Sequence, residues 1–498
     1  MRHERKRRGE ETSVDIVVSN RVARARPGGA VIGGLAAALL PAVQKSGVVW
    51  FGASGKLRRL APDVVPLVQV ESYGRGTIAT VDLPEQHYAG FYEGFANSAL
   101  WPLIHSRADL LRQTREDYAS YCAVNAYMAR TLAAFGGADS TYWIHDYHFL
   151  PLARELRRLG VTGRIGFFLH TPWPGRRTLK HLPQARELAE AMLAYDLVGF
   201  QTEDDRDNFA DFLRHELGLE AAGTTFRSAR GACRLATFPI GVDAQEFANS
   251  AQAACADTEV QRLRASLAGC ALVIGVDRID YSKGLAQRIH ALDRLIARHP
   301  ALKRRLTLLQ IAVPSRSAID IYRALQRELA SLVGAVNGRH GEIDWMPIRY
   351  LNRCYSRSIL AGFYRTAAVG LVTPLRDGMN LVAKEYVAAQ NPEDPGVLVL
   401  SKYAGAAREL DAALSVDPYD IDAIARQIAA ALSMPCGERR ERWQSMMDGL
   451  LQHSIHAWFA EFMQELKSPH RNVLPLAPAR LAAGMRADAG DRPVAAHP

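Results

Sequence analysis

No two of the six cysteines in this 498-residue chain form a CxxC pair: Cys122, Cys233, Cys255, Cys270, Cys354 and Cys436 are scattered along it. That spacing argues against both a disulfide frame and a zinc site. A long apolar run is missing too. The longest, VIGGLAAALLPAV (31–43), is about 13 residues with two glycines and a proline inside it, too short to cross a bilayer. The basic arm MRHERKRRGEE is followed by no apolar stretch and cleavage site, so no leader is read and the cytoplasm is the expected compartment. Basic clusters interleaved with aromatics are absent from the folded segments, which argues against a nucleic-acid groove. The net charge of +9 comes partly from the arm, and the other Lys and Arg alternate with Glu and Asp as on solvated helix faces. Neither nucleic acid nor a membrane is expected as a partner. A mild cationic excess suits anionic substrates.

What is present is an ordinary globular balance, 48% hydrophobic and 23% charged, in a chain longer than one core usually serves. Short β-rich runs alternate with amphipathic helices almost throughout, which predicts parallel sheets with crossover helices. The clearest strands are VDIVVS, VVWFG, TYWIH, RIGFFLH and LVGFQ in the first half, then ALVIGV, LTLLQIAV, AAVGLVT and GVLVLS. The expected fold is α/β, two doubly wound Rossmann-like domains facing a central cleft. The expected division is a basic disordered arm (1–13), an amino-terminal domain (14–241) and a carboxyl-terminal domain (242–452). A helix (453–470) is expected to pack back on the first domain, followed by a disordered Pro/Ala-rich tail (471–498). In doubly wound sheets ligands bind outside the carboxyl ends of the strands, so the chemistry is sought there.

The segment LVTPLRDGMNLVAKEYVAAQ (371–390) reads as a strand that breaks and restarts as a helix near Gly378. Such a helix end offers free amides and a positive dipole, and Gly378 would let a phosphate approach the backbone. Glu385, two turns on, falls on the same stripe and could accept hydrogen bonds from sugar hydroxyls. The alternative is an ordinary helix with Lys384 and Glu385 solvated. In ALVIGVDRIDYSKGLAQRIHAL (271–292) a buried strand and a helix are joined by a loop holding Arg278 and Lys283, both able to reach a diphosphate. Asp280 would repel that anion unless it caps or pairs, and loop cations without a ligand are common.

Arg21 ends the first strand, and Gly33 and Gly34 open the next helix, where the backbone could approach a ligand from the opposite wall. Asp146 follows the strand TYWIH. His145 and His148 invite a metal reading but lack a third ligand. His170 ends another strand, as ligand contact or as satisfied structural histidine. Arg316 lies just past LTLLQIAV, and Tyr92 and Trp101 could stack on a sugar or simply pack. A charge count joins these pieces: Arg278 and Lys283 for a diphosphate, Arg21 and Arg316 for a phosphate.

The joined motifs VVSNR, GGLA, WFG, NSALWP, WIHDYH, GFFLHTPWP, GFQTE, RIDYSKG, VTPLRDGMNLVAKEYVAAQ and PGVLVLS resemble the trehalose-6-phosphate synthases, retaining glucosyltransferases of GT-B fold. The resemblance runs from about residue 14 to about residue 465. It implies a donor, UDP-glucose in most members, held by Gly33, Gly34, Arg278, Lys283, Asp377, Gly378, Met379, Asn380, Leu381, Val382, Ala383 and Lys384, with Glu385 on the ribose. Tyr355 matches a position whose backbone meets the uracil. The acceptor, glucose 6-phosphate, would meet Arg21, Trp50, Tyr92, Trp101, Asp146 and Arg316, with His170 and Asp377 against the donor glucose. Arg278, Lys283, His170 and Asp377 would be the catalytic set, with no metal or other cofactor required. Ala53 stands where many members carry a second Trp. The product implied is α,α-trehalose 6-phosphate, within trehalose biosynthesis and osmotic protection, and a homo-oligomer, dimer or tetramer, is expected. Competing readings are a transferase with another phosphorylated acceptor (glycerol 3-phosphate or an aminocyclitol phosphate) and a non-catalytic sugar-phosphate regulator. The latter would be expected to lack charged site residues, and all are present.

Overall fold

The computed structural model describes residues 14–22, 34–59, 66–228 and 231–468. Gly33, the arm at 1–13 and the tail at 471–498 lie outside these, so the expectations placed on them are not addressed by it.

The first sheet has ten strands: β1 (Asp15–Arg21), β2 (Val49–Arg58), β3 (Gln69–Tyr73), β4 (Gly76–Pro84), β5 (Thr141–His145), β6 (Ile165–Phe168), β7 (Leu197–Phe200), β8 (Ala221–Ala222), β9 (Thr225–Ser228) and β10 (Gly231–Thr237). Their spatial order is 3-4-2-1-5-6-7-10-9-8. The central run is parallel, and antiparallel hairpins extend it at both edges. The second sheet has six parallel strands: β11 (Ala271–Arg278), β12 (Leu306–Val313), β13 (Ile348–Leu351), β14 (Val369–Val372), β15 (Val397–Ser401) and β16 (Leu414–Val416). Their order is 13-12-11-14-15-16. Counted from β11 this is 3-2-1-4-5-6, the dinucleotide-binding order, with its switch point between β11 and β14.

The continuous apolar runs are buried along their whole length, as in β5 and β15, because helices cover both faces. Seven strands were not anticipated. The edge strand β3 is largely exposed, β4 ends on a proline, and β8, β9, β13 and β16 are two to four residues long. None of these carries the dense apolar run by which the inner strands stand out. β10 is seven residues but alternates half-buried and buried positions, and so resembles a loop margin.

The last helix, Ile455–Lys467, lies against the first sheet although the second sheet precedes it in the chain. Phe462 stacks on Trp143 (centroids 4.3 Å apart, 9° between planes), and Trp458 meets Phe168 edge-on at 5.1 Å. Gly166 and Gly199 in neighbouring strands make room for it: a Cβ at either would lie 2.9 or 2.8 Å from the Phe462 ring. The Trp458 indole donates to the Phe238 carbonyl at 3.1 Å, and Lys467 pairs with Asp15 at 2.6 Å.

Candidate active site between the two sheets

The loops after β11 and β14 sit side by side at the switch point. The Leu375 amide donates to the Ser282 carbonyl at 2.7 Å. Gly284 (φ +65°) packs so closely that a Cβ there would lie 2.1 Å from the Thr373 oxygen. Arg288, fully buried, clamps both loops: it donates to Thr373 Oγ1 at 3.0 Å, to the Lys283 carbonyl at 3.1 Å, and pairs with Asp277 at 2.7 Å. A buried guanidinium in this setting holds geometry, because leaving any of its donors dry and unpaired is costly.

The helix after β14 begins at Leu381, not near Gly378. Asn380, with φ 75°, caps it: its side chain accepts from the Ala383 amide at 3.3 Å and donates to Asp377 at 2.9 Å. The preceding Gly378–Met379 turn is non-helical because segment 405–406 braces it, the Ala406 amide donating to the Met379 carbonyl at 2.8 Å. Gly378 also faces the other lobe at close quarters; a Cβ would lie 2.0 Å from the His170 carbonyl oxygen. Lys283 Nζ pairs with Asp377 at 2.5 Å. Burial raises the Asp377 carboxyl, but Lys283 outweighs it and holds the group below the usual range.

Leu381, Val382 and Glu385 lie on the half-buried stripe of this helix, whereas Met379, Ala383 and Lys384 are buried. The side chains of Ala383 and Lys384 therefore face protein, and only their backbone in the first turn is left for a donor. Lys384 Nζ is turned away, bonded at 2.7 Å to both the Ile240 carbonyl and Glu409. Glu385 pairs with Arg357 at 3.4 Å, and burial, only partly offset by Arg357, raises its carboxyl. Tyr355, half-buried, packs edge-on against Phe363, and the Arg353 guanidinium donates to its hydroxyl. Gly34 is the first residue of its helix, Gly34–Ser46.

The opposite wall is one run of contacts. Arg21 donates to the Tyr88 hydroxyl at 3.4 Å, Tyr88 stacks on Tyr92, and Tyr92 lies on His148 with rings 9° apart. Arg316 reaches across from the second lobe. It sits 3.9 Å above the Trp101 ring, pairs with Asp280 at 2.8 Å and donates to the hydroxyls of Tyr322 and Tyr147. The Asp280 caution thus resolves as pairing and capping, since it also accepts from the Ser282 amide and the Trp101 indole. Burial works to raise the Asp280 carboxyl, but Arg316 and Arg278 outweigh it. Arg278 is exposed, 5.7 Å from the Trp101 ring centre. Trp50 is not on this wall. It is fully buried in the sheet, its indole donating to Ser19 Oγ at 2.9 Å, because its side of β2 faces the helices.

Asp146 and His170 close the back. Burial pushes the Asp146 carboxyl up to about 6, and its Oδ1 has no hydrogen-bond partner. His170 accepts or donates across 2.9 Å to His145 Nδ1, and burial lowers its pKa to about 3, so the ring is neutral. Four of the six non-glycine residues with positive φ among the described residues, Ser106, Asp146, Arg316 and Asn380, border this gap, strain of the kind that concentrates at ligand sites. Among the described residues no helix is long and apolar enough to cross a membrane, and no group of three or more His, Cys, Asp or Glu could hold a metal. Chemically, the gap sets two cations and a turn of backbone amides opposite an arginine–aromatic wall, an arrangement able to hold two anionic ligands end to end.

Residues 26–468 match the profile of glycosyltransferase family 20. The chain belongs to that family. Within glycosyltransferase family 20 it is 48% identical over 454 residues to a trehalose-6-phosphate synthase of Sinorhizobium fredii, covering 91% of this chain and 97% of the relative. It is 42% identical over 453 residues to one of Klebsiella pneumoniae, covering 91% and 94%. Among solved structures it is similar to a UDP-forming α,α-trehalose-phosphate synthase of Burkholderia xenovorans in complex with glucose-6-phosphate. That pair has a TM-score of 0.88 and 44% identity, over 92% of this chain and 100% of that one. A trehalose-6-phosphate enzyme from E. coli bound with UDP-2-fluoro glucose superimposes with a TM-score of 0.85 at 40% identity, over 92% and 99%. The architecture is the expected GT-B one.

Several site residues of this family 20 chain went unread in the sequence. Arg288 carried a signal: it occupies a position on the apolar stripe Leu285–Ile289–Leu292 where a solvated arginine has no place. Arg376 sits beside Asp377 with nothing local to give it a role, yet it spans the gap to Ser106 Oγ at 3.0 Å and the Trp173 carbonyl at 3.2 Å. Tyr147 and Tyr322 gave no local signal, since only the fold brings them to Arg316.

Proposed function

We propose that this protein transfers glucose from UDP-glucose to glucose 6-phosphate with retention at the anomeric carbon, yielding α,α-trehalose 6-phosphate and UDP. The observation that carries the reading is the pairing of walls: the Arg278–Lys283 loop and the Gly378–Asn380 turn at a switch point, facing Arg21, Tyr92, Trp101, Asp146 and Arg316. The molecules bound in two similar structures, glucose-6-phosphate and UDP-2-fluoro glucose, match the two anion seats.

In the reaction the C1–oxygen bond to the diphosphate breaks while the acceptor's anomeric hydroxyl forms a new bond to C1 from the same face. The hydroxyl proton passes to a leaving phosphate oxygen. Arg278, Lys283 and the turn amides stabilise the charge growing on the diphosphate; one such preorganised donor is worth about 3 kcal/mol of barrier. These groups do the work a resident metal would otherwise do. Arg21 and Arg316 hold the acceptor phosphate, and Glu385 accepts from the ribose. The reading makes the protein a cytoplasmic homo-oligomer acting on two small molecules. The test is an assay of purified protein with several nucleotide glucoses against glucose 6-phosphate and glycerol 3-phosphate, with the product identified by mass and NMR. Transfer to glycerol 3-phosphate alone, or no transfer at all, overturns it.

A further inference from the structure

His145 ends β5 and has no exposed surface. Its ring lies among Trp143, Trp458 and Phe168, with centroids 4.6, 6.2 and 6.3 Å away, and nearly parallel to His170 at 5.2 Å. Its Nδ1 is 2.9 Å from His170 Nε2, so one of these nitrogens carries the shared proton. Burial, with His170 alongside, keeps His145 neutral. The choice between the two tautomeric arrangements follows from its other nitrogen, Nε2, which is buried without a partner.

If His170 donated through Nε2–H, His145 would have to carry its own proton on Nε2. That would seal a dry N–H inside the aromatic box, where the Trp143 indole N–H is already buried and unpartnered. A stranded N–H is the more costly defect, because a lone pair loses less on desolvation. With Nδ1–H on His145 the stranded atom is only a lone pair. His170 then accepts at Nε2 and must carry its proton on Nδ1.

We propose that His145 is a positioning residue that fixes His170 in its Nδ1-protonated tautomer, so that His170 presents a neutral N–H donor to the gap between the lobes. The half-buried His170 ring has its Nε2 turned inward, and its carbonyl abuts Gly378 of the opposite lobe, so the remaining ring nitrogen serves whatever oxygen occupies the gap. This rests on the reading that a donor sugar nucleotide lies there. The aromatic box has a purpose on this account: Trp143, Phe168 and Trp458 deny His145 Nε2 any acceptor, which leaves a single stable proton arrangement for the pair.

The test uses the full chain with nitrogen-15-labelled histidine, the His170 signals being assigned by their absence in His170→Asn. The expected spectrum has His170 Nδ1 protonated and Nε2 unprotonated. Three variants report on function. His145→Asn puts an amide N–H near the position of Nδ1, and its kcat should stay within about threefold of the parent. His145→Gln carries its amide toward Nε2, and His145→Leu has no donor; both should lose about tenfold or more in kcat with donor KM changed far less. His170 protonated at Nε2 in the parent chain, or His145→Gln as active as His145→Asn, overturns the proposal. Should the parent transfer no glucose, the assigned reaction fails, while the nitrogen spectrum still decides the tautomer.

Discussion

The two walls of the gap treat charge in opposite ways. On the carboxyl-terminal lobe most ionic groups are already matched, Lys283 with Asp377, Arg316 with Asp280, Glu385 with Arg357 and Arg288 with Asp277, while Arg278 stays exposed over Trp101. On the amino-terminal lobe polar atoms near the gap are dry and unmatched: Asp146 Oδ1 and both nitrogens of His148. The first wall keeps its shape when empty and meets an anion by sharing donors that are already oriented. The second carries a desolvation cost that a hydroxyl-bearing ligand relieves. The contrast assigns preorganisation to the nucleotide side and recognition of hydroxyls to the other.

The largest expected effect comes from breaking a matched pair at the reaction centre. Lys283→Ala removes a donor to the leaving diphosphate and strands Asp377, so kcat should fall by about a hundredfold or more with the circular dichroism spectrum unchanged. Turnover within a few-fold of the parent would end the role given to that wall. Lys384→Met tests a matched pair away from the chemistry. Glu409 would be left without its cation in a mostly buried site, costing about 3 kcal/mol in denaturant unfolding, with donor KM affected much less than by Lys283→Ala.

Asp146 probes the unmatched wall. Its carboxyl titrates near 6 in the folded protein and about 4 when unfolded, so the folded state holds the proton to higher pH. Its contribution to stability therefore falls as pH rises from about 4 to about 6. Asp146→Asn should remove on the order of 2 kcal/mol of that decline, read as the difference between the two proteins' unfolding curves across the window. In the parent, the acceptor KM should climb as pH drops below about 6, where the carboxylate is lost; a flat profile would separate Asp146 from the acceptor. The smallest effect is expected at Trp50, inside the sheet. Trp50→Phe loses one hydrogen bond, about 1 kcal/mol, and should leave the acceptor KM within about twofold.

The inner strands were legible because strands covered on both faces read as unbroken apolar runs, as in β5, β12 and β15. The edge strands were not, since half-exposed or short segments such as β3 and β8 share their composition with loops. At the site, Arg21, Asp146, Arg278 and Arg316 stood out at strand ends and Lys283 in a strand–helix loop, whereas the role of Asp377 came from the family resemblance. Of the residues that hold them, Arg288 shows only as a charge on an apolar helix stripe, and Tyr147 and Tyr322 do not stand out, because only the fold brings them to Arg316. The start of the helix after β14 was misplaced by three residues because an asparagine with positive φ, not the glycine before it, makes the cap.

The two glycines under Phe462 bear on synthesis of the chain. The floor of the first lobe is the last helix, so Trp143 and Phe168 remain uncovered on the nascent chain until more than two hundred further residues have been made. A ribosome stalled anywhere in the second lobe would hold a finished first sheet with an open aromatic face, a natural target for chaperones and for clumping. Release of the final turns finishes the earliest part of the protein.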